Sequence, residues 1–200
     1  MKKRFFIGID EAGRGPLAGP VAVGLVVFRN DFDKKLLREI KNKDSKKLSP
    51  EKRQEWFLKI KQWKKEKKLD FHVALISSNI IDTKGISHAI RKGIAECLKK
   101  VKADPKDSLV LLDGSLKAPK EFIFQKTIIK GDEKEQIIGL ASIVAKVTRD
   151  KKMVGFSKIL PKYGFERHKG YGTLVHRQLI KKYGPTKIHR QSFISRVLTQ

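Results

Sequence analysis

One cysteine, Cys97, stands in 200 residues. It has no partner for an internal disulfide and cannot build a multi-cysteine zinc site, so a reducing compartment, the cytosol, suits the chain. Acids are scarce as well: Asp and Glu total 21 against 46 Lys and Arg, a formal net charge of +25. Long apolar runs are missing. The opening Met1-Lys2-Lys3-Arg4-Phe5-Phe6-Ile7 starts like a secretory signal, but Asp10 and Glu11 end its apolar stretch, short of the roughly 7–15 apolar residues a signal core needs. Pro16 to Phe28 is interrupted by Pro and Gly and falls below the roughly 18 residues of a membrane span. A cytoplasmic monomer with no membrane association is expected. With 15 Gly, 7 Pro and 40% hydrophobic residues, disordered and collagen-like chains are excluded.

Positive charge is what the chain has in excess. Such a field draws polyanions, nucleic acid foremost, because each neutralised phosphate releases counterions. Much of the lysine lies on solvated helical faces such as residues 59–68. Charge alone does not separate an enzyme from a non-catalytic binding protein.

Local pattern predicts strands over Arg4–Asp10, Val21–Phe28, Phe71–Ile76, Leu109–Leu112 and Phe122–Ile129, where β-branched and aromatic residues cluster. A glycine-rich turn follows the first, from Ala12 to Gly19. Ser49-Pro50-Glu51 reads as a helix start, with an N-cap, a proline in the first turn and an acid near the positive end of the dipole. That helix runs to about Lys68, with Trp56, Phe57, Ile60 and Trp63 recurring at helical spacing; such periodicity is more often core than a base-stacking surface. Further helices are expected over Asp33–Lys41, Ile80–Val101, Lys134–Leu160 and Thr173–Tyr183. The second should bury Ile90, Ile94, Cys97 and Leu98, and the third one face of Ile137, Leu140, Ala141, Val144 and Val147. Together they predict an α/β domain on a mixed sheet, with residues 1–155 as core and 156–200 as a helical extension.

In so basic a chain the informative residues are acids set in apolar sequence. Asp10 and Glu11 close the first strand, Asp113 closes Leu109–Leu112, and Asp132 follows Ile128-Ile129-Lys130-Gly131. An α/β sheet collects ligands beyond the carboxyl ends of its strands. Consecutive strand residues face opposite sides, so Asp10 and Glu11 share a site only if the strand breaks there; Gly13 and Gly15 supply a break. Singly, Asp113-Gly114 and Gly131-Asp132 read as turns. Four clustered carboxylates would repel unless one or two hard cations, Mg²⁺ or Mn²⁺, sit among them. Two such ions suit phosphodiester hydrolysis.

The segment Gly8-Ile9-Asp10-Glu11-Ala12-Gly13-Arg14-Gly15-Pro16-Leu17-Ala18-Gly19-Pro20-Val21 closely resembles the opening of the ribonuclease HII family. Asp44-Ser45-Lys46-Lys47-Leu48, Leu112-Asp113-Gly114, Lys130-Gly131-Asp132, the run from Ala141 to Asp150, His168-Lys169-Gly170-Tyr171-Gly172-Thr173 and His189-Arg190-Gln191-Ser192-Phe193 continue the likeness in order. The sequence departs from it at Gly85, Gly139 and Gln191, where relatives commonly carry Asn, Ala and Arg.

The resemblance implies a ribonuclease H-like fold and cleavage of RNA in RNA–DNA hybrids. It also implies nicking of duplex DNA on the 5′ side of embedded ribonucleotides, leaving 3′-hydroxyl and 5′-phosphate ends. The family's four metal-binding acids match Asp10, Glu11, Asp113 and Asp132. Its glycine-arginine-glycine turn falls on Gly13, Arg14 and Gly15, implied to contact the ribose 2′-hydroxyl, the group that distinguishes RNA from DNA. Tyr171 matches the tyrosine that packs on the following sugar, although its spacing alone suits a core aromatic. Lys46 and Lys47 resemble phosphate contacts, and Ser142 and Thr148 lie where contacts to the nucleic-acid backbone are expected. Such contacts position a duplex without reading its bases. The rivals are a non-catalytic basic nucleic-acid binding protein and another ribonuclease H-like nuclease.

Overall fold

The computed structural model describes residues 4–29 and 48–198. β1 (Phe5–Ala12) is the axis of the sheet. It pairs antiparallel with β2 (Val21–Arg29) on one side and parallel with β4 (Ser108–Asp113) on the other. β3 (Asp70–Ile76) lies antiparallel beyond β2, and β5 (Gln125–Ile128) parallel beyond β4. The order β3-β2-β1-β4-β5 makes the mixed five-stranded sheet expected from the sequence. The expected helix over Asp33–Lys41 lies outside the described residues.

α1 (Pro50–Lys65) starts where its cap predicts, with the Ser49 hydroxyl accepting the Lys52 N–H at 3.3 Å. Trp56, Phe57, Ile60 and Trp63 are buried with Val26 and Phe28 of β2, so these aromatics belong to the core. The single helix expected over Ile80–Val101 is two, α2 (Ser78–Lys84) and α3 (Ile86–Lys100). Gly85 separates them with φ +83, a conformation a side chain rarely adopts. α3 lays Ile90, Ile94, Cys97 and Leu98 on one sheet face, against Ile9, Val23 and Leu112. Burial pushes the Cys97 thiol up to about 12, which leaves it an inert hydrophobe.

The opposite face carries α5 (Gln136–Ile159), preceded by the one-turn α4 (Gly131–Lys134). Extended backbone at Glu135 parts them, so the helix expected from Lys134 begins at Gln136. Nor does α5 bury one face only: every residue from Ile137 to Ala145 is buried. It reaches the sheet because Gly8 and Gly24 lack side chains there; a Cβ on either would strike the Ile137 or Ala141 carbonyl. β5 is shorter than the predicted Phe122–Ile129. Phe122 turns into the core, and the Gln125 side-chain amide donates to the Phe122 carbonyl at 2.9 Å while its oxygen accepts the Ala118 N–H. That local hydrogen bonding takes the strand's first residues into a loop.

Beyond α5 come a 3₁₀ turn (Pro161–Tyr163), α6 (Phe165–His168), α7 (Leu174–Tyr183) and α8 (Gln191–Leu198). Thr173 caps α7, accepting the His176 N–H at 3.3 Å. α5 runs through the 155/156 boundary, so the extension begins as a continuation of a core helix. Leu17 and Ala18, from the turn after β1, join the small apolar clusters of this C-terminal segment. Among the described residues, no helix is long and apolar enough to cross a membrane.

Candidate active site

The chain leaves β1 toward β2 and leaves β4 toward β5, on opposite sides of the pair. Parallel neighbours whose connections diverge open a crevice at their carboxyl ends. Pairing between them stops at Ile9 opposite Leu112, and Asp10 and Asp113 come next. β1 does not break at this point, contrary to expectation. It stays paired with β2 as far as Ala12 opposite Ala22, and the opening lies on the β4 side alone. By strand alternation Asp10 and Asp113 share the α5 face, with Glu11 on the other.

Asp10 is only 2% exposed. Its Oδ1 accepts the Glu11 N–H at 2.7 Å, and the Ser142 hydroxyl lies beside it. Oδ2 is buried without a hydrogen bond. Burial, then the charge of Glu11, push its carboxyl up to about 8, with Asp113 adding to the rise and the Ser142 hydroxyl opposing it. Glu11 is raised by burial and by Asp113, while Arg14, whose Nη1 lies 3.5 Å from Oε1, counters. Three carboxylates therefore feel one another at the mouth of the crevice.

Asp132 is 3% exposed, on α4. Lys130, in the left-handed region at φ 55, turns the chain from β5 into α4, and the Gly131 N–H donates to Asp113 Oδ1 at 2.7 Å. That bond ties the Asp132 turn to the end of β4. Among the described residues, no three His, Cys, Asp or Glu side chains close around a single point. The donor set still fits a hard divalent ion: oxygen ligands only, a buried Asp10 oxygen with no hydrogen bond, and a carboxyl whose ionisation is suppressed by burial and by the charge of Glu11.

Two arginines whose part is not evident from the sequence underlie the glycine turn. Arg149 and Arg190 are fully buried. Arg149 donates to the carbonyls of Pro20, Lys169 and Ala18 at 2.9–3.1 Å. Arg190 donates to those of Gly19, Arg14 and Gly13 at 3.0, 2.9 and 2.6 Å. Burial lowers both guanidinium pKa values, that of Arg190 to about 9. Gly13, at φ +88, lies against the Arg149 side chain where a Cβ would collide with it. A Cβ on Gly15 would meet nothing within 4 Å, so the protein's own packing does not demand glycine there. Arg149 was legible as a signal: it continues the buried row Ala141, Ala145 at i+4 spacing, a charge on an apolar helix face.

Tyr171 is 41% exposed and not a core residue. Its ring lies 5.3 Å from Lys146 Nζ and 5.6 Å from Arg149 Cζ, within cation–π range. The Gly170 carbonyl accepts the Leu17 and Ala18 N–H groups, which joins this loop to the glycine turn. Three histidines fix it from below. His176 Nδ1 donates to the Tyr171 carbonyl at 2.9 Å, so neutral His176 accepts at Nε2 from His189 Nε2, 3.2 Å away; His189 Nδ1 accepts the Thr186 N–H. His168 accepts the Gly170 N–H at Nδ1 and donates to the Tyr163 carbonyl. Of the remaining candidates, Ser142 is buried with its hydroxyl at Asp10, and Thr148 is half-buried on α5. Lys46 and Lys47 lie outside the described residues.

A family model described as Ribonuclease HII matches residues 7–196. A ribonuclease HII of Caldicellulosiruptor bescii is 42% identical over 196 residues, covering 98% of this chain and 89% of its own. The structure of Archaeoglobus fulgidus ribonuclease HII, solved as a complex with PCNA, is similar with TM-score 0.75 and 25% identity over 94% of each chain. A ribonuclease HIII solved in complex with Mn²⁺ shares the fold at TM-score 0.69 and 16% identity, over 99% of this chain and 70% of that one.

Proposed function

The chain belongs to the ribonuclease HII family, and from that premise we propose that it is a divalent-metal-dependent endoribonuclease. Its substrates are RNA–DNA hybrids and duplex DNA carrying single ribonucleotides, nicked on the 5′ side to leave 3′-hydroxyl and 5′-phosphate ends. The observation that carries this reading is the buried, hydrogen-bond-free Asp10 oxygen beside two further carboxylates at the β1/β4 switch point.

Asp10, Glu11, Asp113 and Asp132 would hold two Mg²⁺ or Mn²⁺ ions. When bound, such ions supply Lewis acidity at the phosphate and activate water for attack. The protein's own groups do the positioning. Ser142 and the Glu11 N–H orient Asp10, and the Gly131 N–H orients Asp113. Gly13, Arg14 and Gly15 read the ribose 2′-hydroxyl, and the open space at Gly15 admits the sugar close to the backbone. Tyr171, exposed and steadied by Lys146 and Arg149, packs on the next sugar. Lys46, Lys47 and Thr148 contact the backbone phosphates, which set register without reading bases.

The test is a DNA duplex with one ribonucleotide, incubated with Mg²⁺ or Mn²⁺. The expected product is a nick 5′ of that ribonucleotide, where a ribonuclease HI would need a longer ribonucleotide run. Asp10→Asn and Asp113→Asn should each abolish the nick while duplex binding persists. Cleavage at the wild-type rate by either variant removes the catalytic assignment, and metal-independent binding with no product removes the enzyme.

A further inference from the structure

On the α3 face of the sheet, a cavity of about 160 Å³ opens between the glycine turn, the first turns of α3 and the loop after β4. Arg14, Arg91 and Lys117 line it, with the hydroxyls of Ser87 and Ser115. The buried side chains of Ile94 and Leu116 form its floor. Among the described residues, no carboxylate lines it. Arg14 has its contact with Glu11 at the edge, but among the described residues neither Arg91 nor Lys117 is in an ion pair.

Three cations facing one space over an apolar floor repel more strongly than on open surface, because the low-dielectric wall weakens screening. A single anion with several acceptor oxygens relieves all three and takes up both hydroxyls. Guanidinium groups bind such oxygens as a planar fork, and lysine as a point charge. The volume suits a tetrahedral phosphate with a few waters, each of which occupies about 30 Å³.

We propose that Arg14, Arg91 and Lys117, with Ser87 and Ser115, form a seat for one backbone phosphate of the nucleic acid, separate from the scissile one. The assignment rests on the function proposed above. Arg14 belongs both to this cavity and to the turn that takes the ribose, so the seated phosphate is one of those nearest the ribonucleotide. Its work is to fix the duplex in register, so it acts in binding and leaves the chemical step alone.

The test compares Arg91→Ala/Lys117→Ala with a control of equal charge, Lys99→Ala/Lys102→Ala, at exposed positions outside the cavity. On the single-ribonucleotide duplex the first variant raises KM about tenfold at unchanged kcat, and its metal-free binding loses about one unit of log–log salt slope. The control keeps the wild-type KM and slope. A set of duplexes, each with one uncharged methylphosphonate among the linkages nearest the ribonucleotide in either strand, finds the phosphate. One linkage should raise KM for wild type and control yet leave the double variant unaffected. Its strand tells whether the cleaved strand or its complement is held. A double variant with wild-type KM and slope, or a set in which no linkage loses its effect, overturns the seat. Wild-type protein that never cuts the duplex overturns the function instead, and the metal-free slope then still decides the seat.

Discussion

Asp10 carries the largest electrostatic load of any single residue in the site. Its folded pKa, about 8, lies above the ordinary 3.8, so the folded state holds a proton that the unfolded chain releases. Metal-free protein should therefore lose stability as pH rises from about 4 to about 8. Asp10→Asn should remove most of that loss and be more stable at pH 8 by on the order of a few kcal/mol. Denaturant titrations across this range check it; identical pH profiles for variant and wild type would contradict the buried charge. Added Mn²⁺ should stabilise wild type and leave the variant unmoved. The buried arginines carry a second prediction. Lysine cannot reproduce the three-carbonyl fork of Arg190, so Arg190→Lys should cost about 2–4 kcal/mol. Displacement of the turn should slow single-ribonucleotide cleavage by about a hundredfold. A folded Arg190→Lys with wild-type kcat would show that the turn holds its shape without the guanidinium. The places of Asp10 and Asp113 at the ends of apolar strand runs were legible in the sequence. Arg149 and Arg190 were visible in the same motifs, but their role depends on carbonyls far away in the chain.

At the scale of elements, α5 sets the geometry. It crosses β1 and β2 on two glycines and delivers Ser142 to Asp10 and Arg149 to the glycine turn. Gly8→Ala would push a methyl group into the Ile137 backbone, so it should destabilise the fold by about 1–3 kcal/mol. The urea midpoint should fall with the slope of the transition unchanged; an unaltered midpoint would mean that α5 does not rest on β1 there. The helix at 134–160 was readable from apolar spacing, but the burial of every residue from Ile137 to Ala145 was not, since a one-face pattern cannot show a helical stretch held between the sheet and α1. The break at Gly85 was equally hidden, because an isolated glycine inside a helical pattern can be tolerated without ending the helix.

Across the whole molecule, the C-terminal segment and the glycine turn are joined through neutral histidines. His176 and His189 are held down at about 4 by burial, with help from neighbouring ring charges. Protonating His176 sets two donors against each other across the 3.2 Å contact, and protonating His189 sets its Nδ1 against the Thr186 N–H. Their folded pKa values lie below the ordinary 6.5, so stability should fall as pH drops from about 6.5 toward 4. Wild-type protein thus combines this acid limb with the opposing trend from Asp10. In Asp10→Asn the acid limb should dominate, measurable as a melting temperature that rises from pH 4 to 6.5. A flat profile in that variant would show that the histidines titrate normally.

Sequence by itself determined the first four strands, the cap of α1 and the family likeness, because each is written in short-range pattern: alternation, capping chemistry and contiguous motifs. Tertiary structure alone decided that β1 runs unbroken while β4 falls away from it. It also decided that Tyr171 faces outward and that two buried guanidinium groups hold the turn. Those outcomes depend on which distant backbone groups meet, and a chain read in one dimension does not contain that information.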